Sequence, residues 1–383
     1  MSKFAPVILA YFSLLIISVL DNLRSPYFPE IIADLKLNPV KASAFFAMVS
    51  FVSFFGSSAS HRVMQKHSAL FLLGIGSVGM ALGYSWIALS REFWILMLAC
   101  AFFGCAFGAM NLAHNMLVVE SSPTHLRRRL LNGLHSMYGV SSVLAPLVAS
   151  FYFWLEWKWR SAFLVTAALP LVTLLAIGFL RAERPTKSER VEPLSPSEWK
   201  ICLLFSIMLT LYLCGEISAA TRMVQWLRTE RGFAPNLANL YLSGFFAFML
   251  AGRLLFGFVS FKRVSNWQVL CGSAGAACLC YILALAHSPF WMMVSGLAMA
   301  PFYPTAMDQL SQIFHRKTGR ALGFIIGFGS FSMAAMQLIV GFFTADFGLT
   351  KALLIGPVGL ALAFVALCAV LVVERRTAEL KSR

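Results

Sequence analysis

Ionisable residues interrupt several long apolar segments of this 383-residue chain. Asp21 and Arg24 lie three apart in the first segment, so a helix would place them on one face. A charge at bilayer depth is costly and usually lines a path that contains water. The pair therefore predicts a site for a proton or a polar solute, with Asp21 as the first candidate proton carrier. The structural alternative is a pair that neutralises itself for insertion and fixes packing.

A second carboxylate and a second arginine occur in the seventh apolar segment. Glu216 lies near its middle, and Arg222 follows six residues later, largely around the helix, so the two are not expected to pair. Glu216 is the second candidate proton carrier. It would pair with Arg24 as a gate or bind a solute hydroxyl or a cation. The alternative is a protonated side chain bonded to a neighbouring helix.

Polar side chains in the fourth and fifth segments suit a hydroxyl-rich solute. Asn111, His114 and Asn115 have the spacing of one helical face. Amides both donate and accept hydrogen bonds, and histidine titrates near neutral pH. Hydrogen bonding between helices explains the three equally well. His135 and Tyr138, three apart in the fifth segment, are further candidates with less weight.

Aromatic and proline residues mark candidate contacts and hinges. Trp226 or Tyr303 would stack on a sugar ring if it faced a cavity. Tyr303 lies beside Pro304, and proline frees backbone carbonyls that then need another partner, so this segment is expected to bend. Asp308, one turn further, is a candidate gating residue that would anchor Arg320 or Arg316. Arg253 is a candidate for a cytoplasmic latch or a structural contact.

The composition is that of an integral membrane protein. Hydrophobic residues make up 59% of the chain and charged residues 12%, and the mean hydropathy is +0.76. If the N-terminus is cytoplasmic, most of the 31 Lys and Arg residues fall on the inner side. This bias predicts a multi-pass inner-membrane protein with both termini in the cytoplasm, and it explains the net charge of +15 without nucleic acid. The eight cysteines lie in apolar segments and are expected to be packing residues, with no metal site or disulfide framework.

A bilayer core needs about 20 helical residues per span, and twelve segments meet this length. The predicted spans are 5–35, 40–60, 68–89, 92–118, 128–153, 159–181, 199–228, 235–260, 267–287, 289–314, 321–344 and 350–373. A Pro- and charge-rich stretch divides them. We therefore expect an all-α membrane protein with an N-terminal six-helix bundle (1–181), a cytoplasmic linker (182–198) and a C-terminal six-helix bundle (199–383).

The two halves are expected to be pseudo-symmetric repeats. A basic turn leads to Arg129-Leu-Leu-Asn-Gly133 after the fourth span and to Arg320-Ala-Leu-Gly-Phe324 after the tenth. The same offset relates Pro146 to Gln337, which joins the candidate site residues. Internal repeats are typical of secondary transporters, with the solute site between them.

Two local motifs carry a resemblance to the major facilitator superfamily. One is the corner Trp157-Lys-Trp159-Arg160-Ser-Ala-Phe163 between spans five and six. The other is the turn after span two, Gly56 to His67, which resembles that superfamily's G-x-x-x-D-R signature, with Ser60 where the Asp is expected. The resemblance covers the whole chain and implies two six-helix halves that work by alternating access.

A narrower resemblance is to the fucose:proton symporter group. It rests on Leu130 to Pro146, Leu211 to Glu216, Ala251-Gly-Arg253 and Gly296 to Thr305. The acids that this group uses in its first and fourth helices fall on Ser25 and Asn111. Both carboxylates are therefore replaced here, although the two positions remain candidate solute contacts.

These observations predict a transporter of a small polar solute, sugar-like or a related metabolite, coupled to protons. It would act as a monomer in the lipid bilayer without a cofactor. The alternative is an antiporter that exports amphipathic or metal-chelating small molecules, which the aromatic and Met content and the Ala145-Pro146 step favour. A membrane-embedded enzyme is disfavoured because the sequence contains no H-E-x-x-H helix, paired catalytic aspartates or nucleophile motif.

Overall fold

A computed structural model describes residues 4–64, 66–179, 193–258 and 264–382, and every regular element in these ranges is helical. The helices are α1 Ala5–Leu23, α2 Phe28–Asp34, α3 Pro39–Met64, α4 Ala69–Leu89, α5 Phe93–Ser121, α6 Thr124–Trp154, α7 Trp159–Thr166, α8 Leu169–Ile177, α9 Pro196–Thr229, α10 Pro235–Phe258, α11 Asn266–Ala286, α12 Phe290–Met299, α13 Phe302–Phe314, α14 Thr318–Phe347, α15 Leu349–Ala352 and α16 Ile355–Ser382. A 3-10 turn, His315–Lys317, precedes α14. The all-α prediction is confirmed.

Eleven helical stretches of the described residues are long and apolar enough to cross a membrane. The predicted tenth span, 289–314, is divided between α12 and α13, each too short to be counted alone. Pro301 lies at the break, and Pro304, which lacks an N–H group, lies in the first turn of α13. The twelve-helix architecture is consistent with this arrangement.

The predicted first span is also divided. α1 ends at Leu23, and α2 begins at Phe28 after a turn. Proline disfavours helical geometry in the residue before it, so Pro26 ends the helix near Ser25, whereas Pro29 suits the first turn of α2. The break places Asp21 in the last turn of α1 and Arg24 at its C-cap.

The helices form two compact units. Unit 1 contains α1 to α8 together with residues 231–243, and unit 2 contains α9 to residue 230 together with residues 244 onwards. In unit 1, helices α3 and α5 pack so closely that a Cβ at Gly108 would collide with the carbonyl of Ser53. A Cβ at Gly56 would likewise collide with the carbonyl of Cys105. The glycine of the predicted turn signature is therefore a packing requirement.

The start of unit 2 is fixed by a capping box. Ser195 accepts from the backbone N–H of Glu198, and the Glu198 side chain accepts from the backbone N–H of Ser195. Lys317 Nζ also lies 3.0 Å from Glu198 Oε2, which ties this end of α9 to the turn before α14. Most of the predicted linker, 182–192, lies outside the described residues, and α9 begins slightly before the predicted start of span seven.

The Trp157–Phe163 corner of unit 1 is held by one carboxylate. Arg160 Nη1 lies 2.8 Å from Asp34 Oδ2, and Trp159 Nε1 donates to the same oxygen at 3.2 Å. Arg160 Nη2 donates to the carbonyl of Ser90 at 2.8 Å. The corner thus joins the ends of α2, α4 and α7, which explains why these residue types occur together.

Candidate functional site

A buried ion pair closes the C-terminal end of α1. Arg24 Nη2 donates to Asp21 Oδ1, and Arg24 Nε donates to the carbonyl of Asp21 at 3.1 Å. The side chains are 6% exposed for Arg24 and 14% for Asp21. The spacing of three residues brings the charges together, as the sequence indicates, and the helix end leaves the Asp21 carbonyl available as an acceptor.

Three aromatic rings surround the Arg24 guanidinium. Its Cζ lies 5.6 Å from the centroid of Phe45, 5.2 Å from Phe46 and 5.6 Å from Phe103. Cation–π attraction is stronger where water is excluded. Arg24 Nη1 is buried and has no hydrogen-bond partner among the described residues. The charge is therefore partly balanced by the rings, and the two N–H bonds of Nη1 have no acceptor among the described residues.

Tyr138 on α6 completes this cluster. Its hydroxyl donates to Asp21 Oδ2 at 3.0 Å, so both oxygens of the carboxylate have donors. A carboxylate with a cation on one oxygen and a phenol on the other is well satisfied in its ionised form. We call Asp21, Arg24 and Tyr138 the α1 cluster.

The polar residues of α5 do not act as one group. His114 is fully buried, and its Nε2 lies 2.9 Å from Ser13 Oγ on α1. Asn111 Nδ2 donates to the carbonyl of Phe107 at 3.1 Å, and Asn115 Nδ2 donates to that of Asn111 at 2.8 Å. The single polar face expected from spacing is thus divided, because His114 is enclosed between two helices while both amides are half-buried.

The two remaining candidates of unit 1 lie in the turn after α1 and on α6. Ser25 is buried in the turn between α1 and α2, where its carbonyl accepts from the N–H of Phe28 at 3.2 Å. His135 is exposed on α6.

In unit 2, Glu216 is held by a tyrosine on its own helix. The hydroxyl oxygen of Tyr212 lies 3.0 Å from Glu216 Oε2 and 2.9 Å from the carbonyl oxygen of Met299 at the end of α12. The ring of Tyr212 stacks on that of Phe302, with centroids 3.8 Å apart and planes 2° from parallel. We call these four residues the α9 cluster.

Arg222 is bonded to an amide. Its Nη2 donates to Gln337 Oε1 at 3.0 Å, and Gln337 Nε2 donates to Thr221 Oγ1 at 3.1 Å. Arg222 and Gln337 are each 2% exposed. In these bonds Arg222 and Glu216 have different partners, which agrees with their spacing of six residues. Gln337, the repeat counterpart of Pro146, is a direct partner of the buried arginine.

Trp226 is placed differently from the suggested stacking role. The ring is fully buried, and its Nε1 donates to Thr350 Oγ1 at 2.8 Å. Glu230, just beyond α9, accepts from the backbone N–H groups of Leu349 at 2.9 Å and Thr350 at 3.2 Å. Trp226 therefore joins α9 to α15, and its enclosed ring has no face left for a sugar.

The candidate gating residues of unit 2 occupy several elements. Asp308 Oδ2 accepts from Asn266 Nδ2 on α11 and from Gln312 Nε2, both at 2.9 Å. Arg320 is exposed near the start of α14. Arg253 is half-buried on α10, and its Nε has no hydrogen-bond partner among the described residues. The anchoring of Arg320 by Asp308 stays a prediction, and the Arg316 side chain lies outside the described residues.

The chain as a whole matches a family of membrane transporters. Residues 10–332 match the Major Facilitator Superfamily. The chain belongs to the Major Facilitator Superfamily. It is therefore a membrane transporter and not an enzyme.

Two kinds of curated relative resemble this superfamily member. The cis,cis-muconate transport protein of Acinetobacter baylyi is 22% identical over 63% of this chain and 63% of its own length. The alignment thus spans less than two thirds of that relative. The quinolone resistance protein NorA of Staphylococcus aureus is 22% identical over 88% of this chain and 89% of its own.

Solved transporter structures share the fold. A bacterial homologue of the human lysosomal transporter Spinster, in an inward-facing and occupied conformation, matches with a TM-score of 0.76 and 14% identity over 96% of both chains. A D-xylose-proton symporter matches with a TM-score of 0.76 and 14% identity over 96% of this chain and 97% of its own. A mutant of the nucleoside transporter NupG also has a TM-score of 0.76, at 13% identity over 96% of this chain and 99% of its own. At these identities the likeness concerns the fold alone.

Two contacts of this superfamily member were missed by sequence reasoning. Tyr212 is one helical turn before Glu216, a spacing that places both on one face, so the signal was present. The Met299 carbonyl carries no sequence signal of its own. The nearby prolines indicated only that some carbonyl in this region would need a partner.

Proposed function

We propose that this chain couples the movement of a small polar solute to that of protons by alternating access of its two halves. The α1 cluster carries the proposal. A purely structural span has no use for two charges near its end, and membrane proteins retain such groups where ions or solutes pass. Protonation of Asp21 would remove the counter-ion of Arg24, and Arg24 could then bind a solute anion or hydroxyl. Proton binding and solute binding would therefore be linked at this pair.

Two carboxylates are the proposed proton carriers. Asp21 is held by Arg24 and Tyr138, and Glu216 is held by Tyr212. Glu216 has a phenol where Asp21 has a cation, so binding a proton there breaks no ion pair. Both carboxylates lie on the first long helix of their unit, which fits a transporter built from repeats.

The proposed solute is small and rich in oxygen atoms. Arg24 Nη1 lacks a partner among the described residues, and the half-buried amides of Asn111 and Asn115 in the same unit supply donors and acceptors. Solved proteins with this fold include a D-xylose-proton symporter and a nucleoside transporter, both acting on hydroxylated solutes. The muconate relative adds a dicarboxylate to the candidates, which suits a site containing arginine. A sugar-like solute also agrees with the resemblance to the fucose:proton symporter group.

Export of an amphipathic compound is the second candidate function. The quinolone resistance relatives align over 88% of this chain, more than the muconate relative does. Pro146 also lies inside α6, where it interrupts the backbone ladder, and a proline in this span is compatible with an antiporter. An antiporter would use the same carboxylates with the opposite direction of proton movement.

The proposed setting is a cytoplasmic membrane, with a single chain as the working unit and both termini inside. The distribution of Lys and Arg supports this orientation. In this orientation Asp308, Arg253 and Arg320 are the proposed residues of the inner gate. Tyr303, 37% exposed on α13, is a proposed solute contact.

Reconstituted protein tests the proposal. A thermal-shift screen of sugars, nucleosides, dicarboxylates and quinolones selects ligands, because a ligand that binds the folded state raises the apparent stability. Counterflow of the labelled hit in proteoliposomes then tests transport. Accumulation with the proton gradient directed into the vesicle supports symport, and extrusion against it supports export. A hit that binds without counterflow contradicts the proposal.

A further inference from the structure

The hydroxyl of Tyr212 faces two acceptors but carries one proton. Its oxygen is 3.0 Å from Glu216 Oε2 and 2.9 Å from the carbonyl oxygen of Met299. Tyr212 is fully buried, so water has little access to supply a missing donor. A buried acceptor without a donor costs free energy of about 1–3 kcal/mol.

When Glu216 is protonated, there are enough donor protons for both acceptors. The carboxylic acid then donates to the Tyr212 oxygen, and the phenol donates to the Met299 carbonyl. When Glu216 is ionised, the single phenol proton goes to the carboxylate, because a bond to a charged acceptor is the stronger one. The Met299 carbonyl then has lost its donor on α9.

The Met299 carbonyl lies where the backbone is broken. α12 ends at Met299, and α13 begins at Phe302 with Pro304 in its first turn. Carbonyls freed at such breaks inside membranes need a side chain as partner. The parallel stacking of Phe302 on Tyr212 restricts the tyrosine ring, so the hydroxyl is held at this position.

Other ionisable groups of unit 2 surround the same point. Arg253 on α10 interacts electrostatically with Tyr212 and with Tyr303 on α13, and Glu216 interacts with both tyrosines. Of these groups, Glu216 shares a hydrogen bond with Tyr212, so proton binding at Glu216 is the local change that alters the hydrogen bonding of Tyr212.

We propose that Tyr212 is a positioning residue that transmits the protonation state of Glu216 to the break between α12 and α13. Protonated Glu216 fastens the break to α9 through Tyr212, and loss of the proton releases it. This inference rests on the proposed function, since it supplies the step by which proton binding would alter a helix that bends during transport.

Hydrogen–deuterium exchange of the purified protein in nanodiscs tests the relay without any solute. The readout is exchange of the amides at 302, 303, 305 and 306, corrected for the intrinsic effect of pH, between pH 5 and pH 8.5. We expect slow exchange at pH 5 and exchange on the order of tenfold faster at pH 8.5, because one hydrogen bond is lost. Glu216→Gln, whose amide donates as the protonated acid does, is expected to exchange slowly at both pH values. Tyr212→Phe is expected to exchange fast at both.

Tyr281→Phe is the matched control. It removes another fully buried hydroxyl of unit 2, which lies 3.0 Å from Ser218 Oγ, and it should keep the wild-type pH response. The inference is overturned by exchange in the wild type that does not change with pH, by Tyr212→Phe retaining the wild-type response, or by Tyr281→Phe losing it. Loss of proton-driven transport in Glu216→Gln with unaltered exchange would defeat the relay and leave the proposed function standing.

Discussion

The charged residues of the two units have different kinds of bonding partner. On α1 of unit 1, Asp21 and Arg24 form a buried ion pair. On α9 of unit 2, Glu216 is bonded to a phenol, and Arg222 is bonded to the amide of Gln337. Spacing explains the difference, because residues three apart share a helical face and residues six apart do not.

The different partners of the two carboxylates suit them to different roles. Both carboxylate oxygens of Asp21 accept hydrogen bonds, one of them from Arg24, and removing the charge of Asp21 leaves a buried guanidinium. Glu216 has one donor that it shares with the Met299 carbonyl, and binding a proton completes that network. Of the two proposed proton carriers, the comparison therefore favours Glu216 in unit 2, and it favours ion pairing and solute contact for the α1 cluster.

The largest effect is expected from Asp21→Asn. The substitution keeps the shape and the Tyr138 contact but leaves Arg24 buried without its counter-ion, which costs about 3–5 kcal/mol. We expect a large drop in the melting temperature of the purified protein, measured by intrinsic fluorescence. The double variant Asp21→Asn/Arg24→Met should recover most of the loss. A melting temperature for Asp21→Asn alone that matches the wild type would refute the pairing.

Substitution of Gln337 should produce the next largest fall in melting temperature. Gln337→Leu removes an acceptor from buried Arg222, at a cost of about 1–3 kcal/mol. Gln337→Glu would recreate in unit 2 the ion pair of unit 1, so its melting temperature should exceed that of Gln337→Leu at pH 7. Because a paired carboxylate stabilises only while ionised, this advantage should shrink on acidification to pH 4. A melting temperature of Gln337→Leu equal to that of the wild type would contradict a stabilising amide contact, and equal values for the two variants at pH 7 would contradict the recreated ion pair.

Asp34→Asn should have a smaller effect, although it also breaks an ion pair of unit 1. The side chains of Asp34 and Arg160 are 48% and 29% exposed, so water replaces much of the lost interaction. We expect a loss of about 0.2–1 kcal/mol, measured as a small fall in melting temperature. A loss as large as that of Asp21→Asn would show that burial does not distinguish the two pairs.

Glu216→Gln should change stability least. Its partner is a phenol, and the amide keeps a donor for the Tyr212 oxygen, so we expect a change within about 0.5 kcal/mol at pH 6. The measurement is the melting temperature beside that of Asp21→Asn. A loss comparable to Asp21→Asn would indicate that Glu216 is paired as an anion, and the contrast between the units would disappear.

Composition and residue spacing predicted the features that depend on one helix alone. The spans follow from apolar length, and the grouping of Asp21 with Arg24 follows from the helical period. The division of the predicted tenth span was also signalled, since its prolines indicated a bend near Tyr303.

Contacts between helices could not be predicted from the sequence, because they depend on how the helices pack against one another. His114 was grouped with two asparagines by spacing, yet it is buried against Ser13 of α1. Trp226 is a sugar-stacking candidate only if it faces a cavity, and its ring is fully buried while its Nε1 donates to Thr350. The proposed role of Tyr212 depends on the Met299 carbonyl oxygen lying 2.9 Å from its hydroxyl oxygen. A contact with a backbone carbonyl cannot be predicted from residue types.

Proton coupling through Glu216 is decided by the transport activity of the Glu216→Gln variant. In proteoliposomes that contain the transported solute, counterflow needs no net proton movement, whereas accumulation under an imposed pH gradient does. We expect Glu216→Gln to retain counterflow at a rate near that of wild type and to lose accumulation. Accumulation equal to wild type in this variant would contradict the assignment of proton coupling to unit 2.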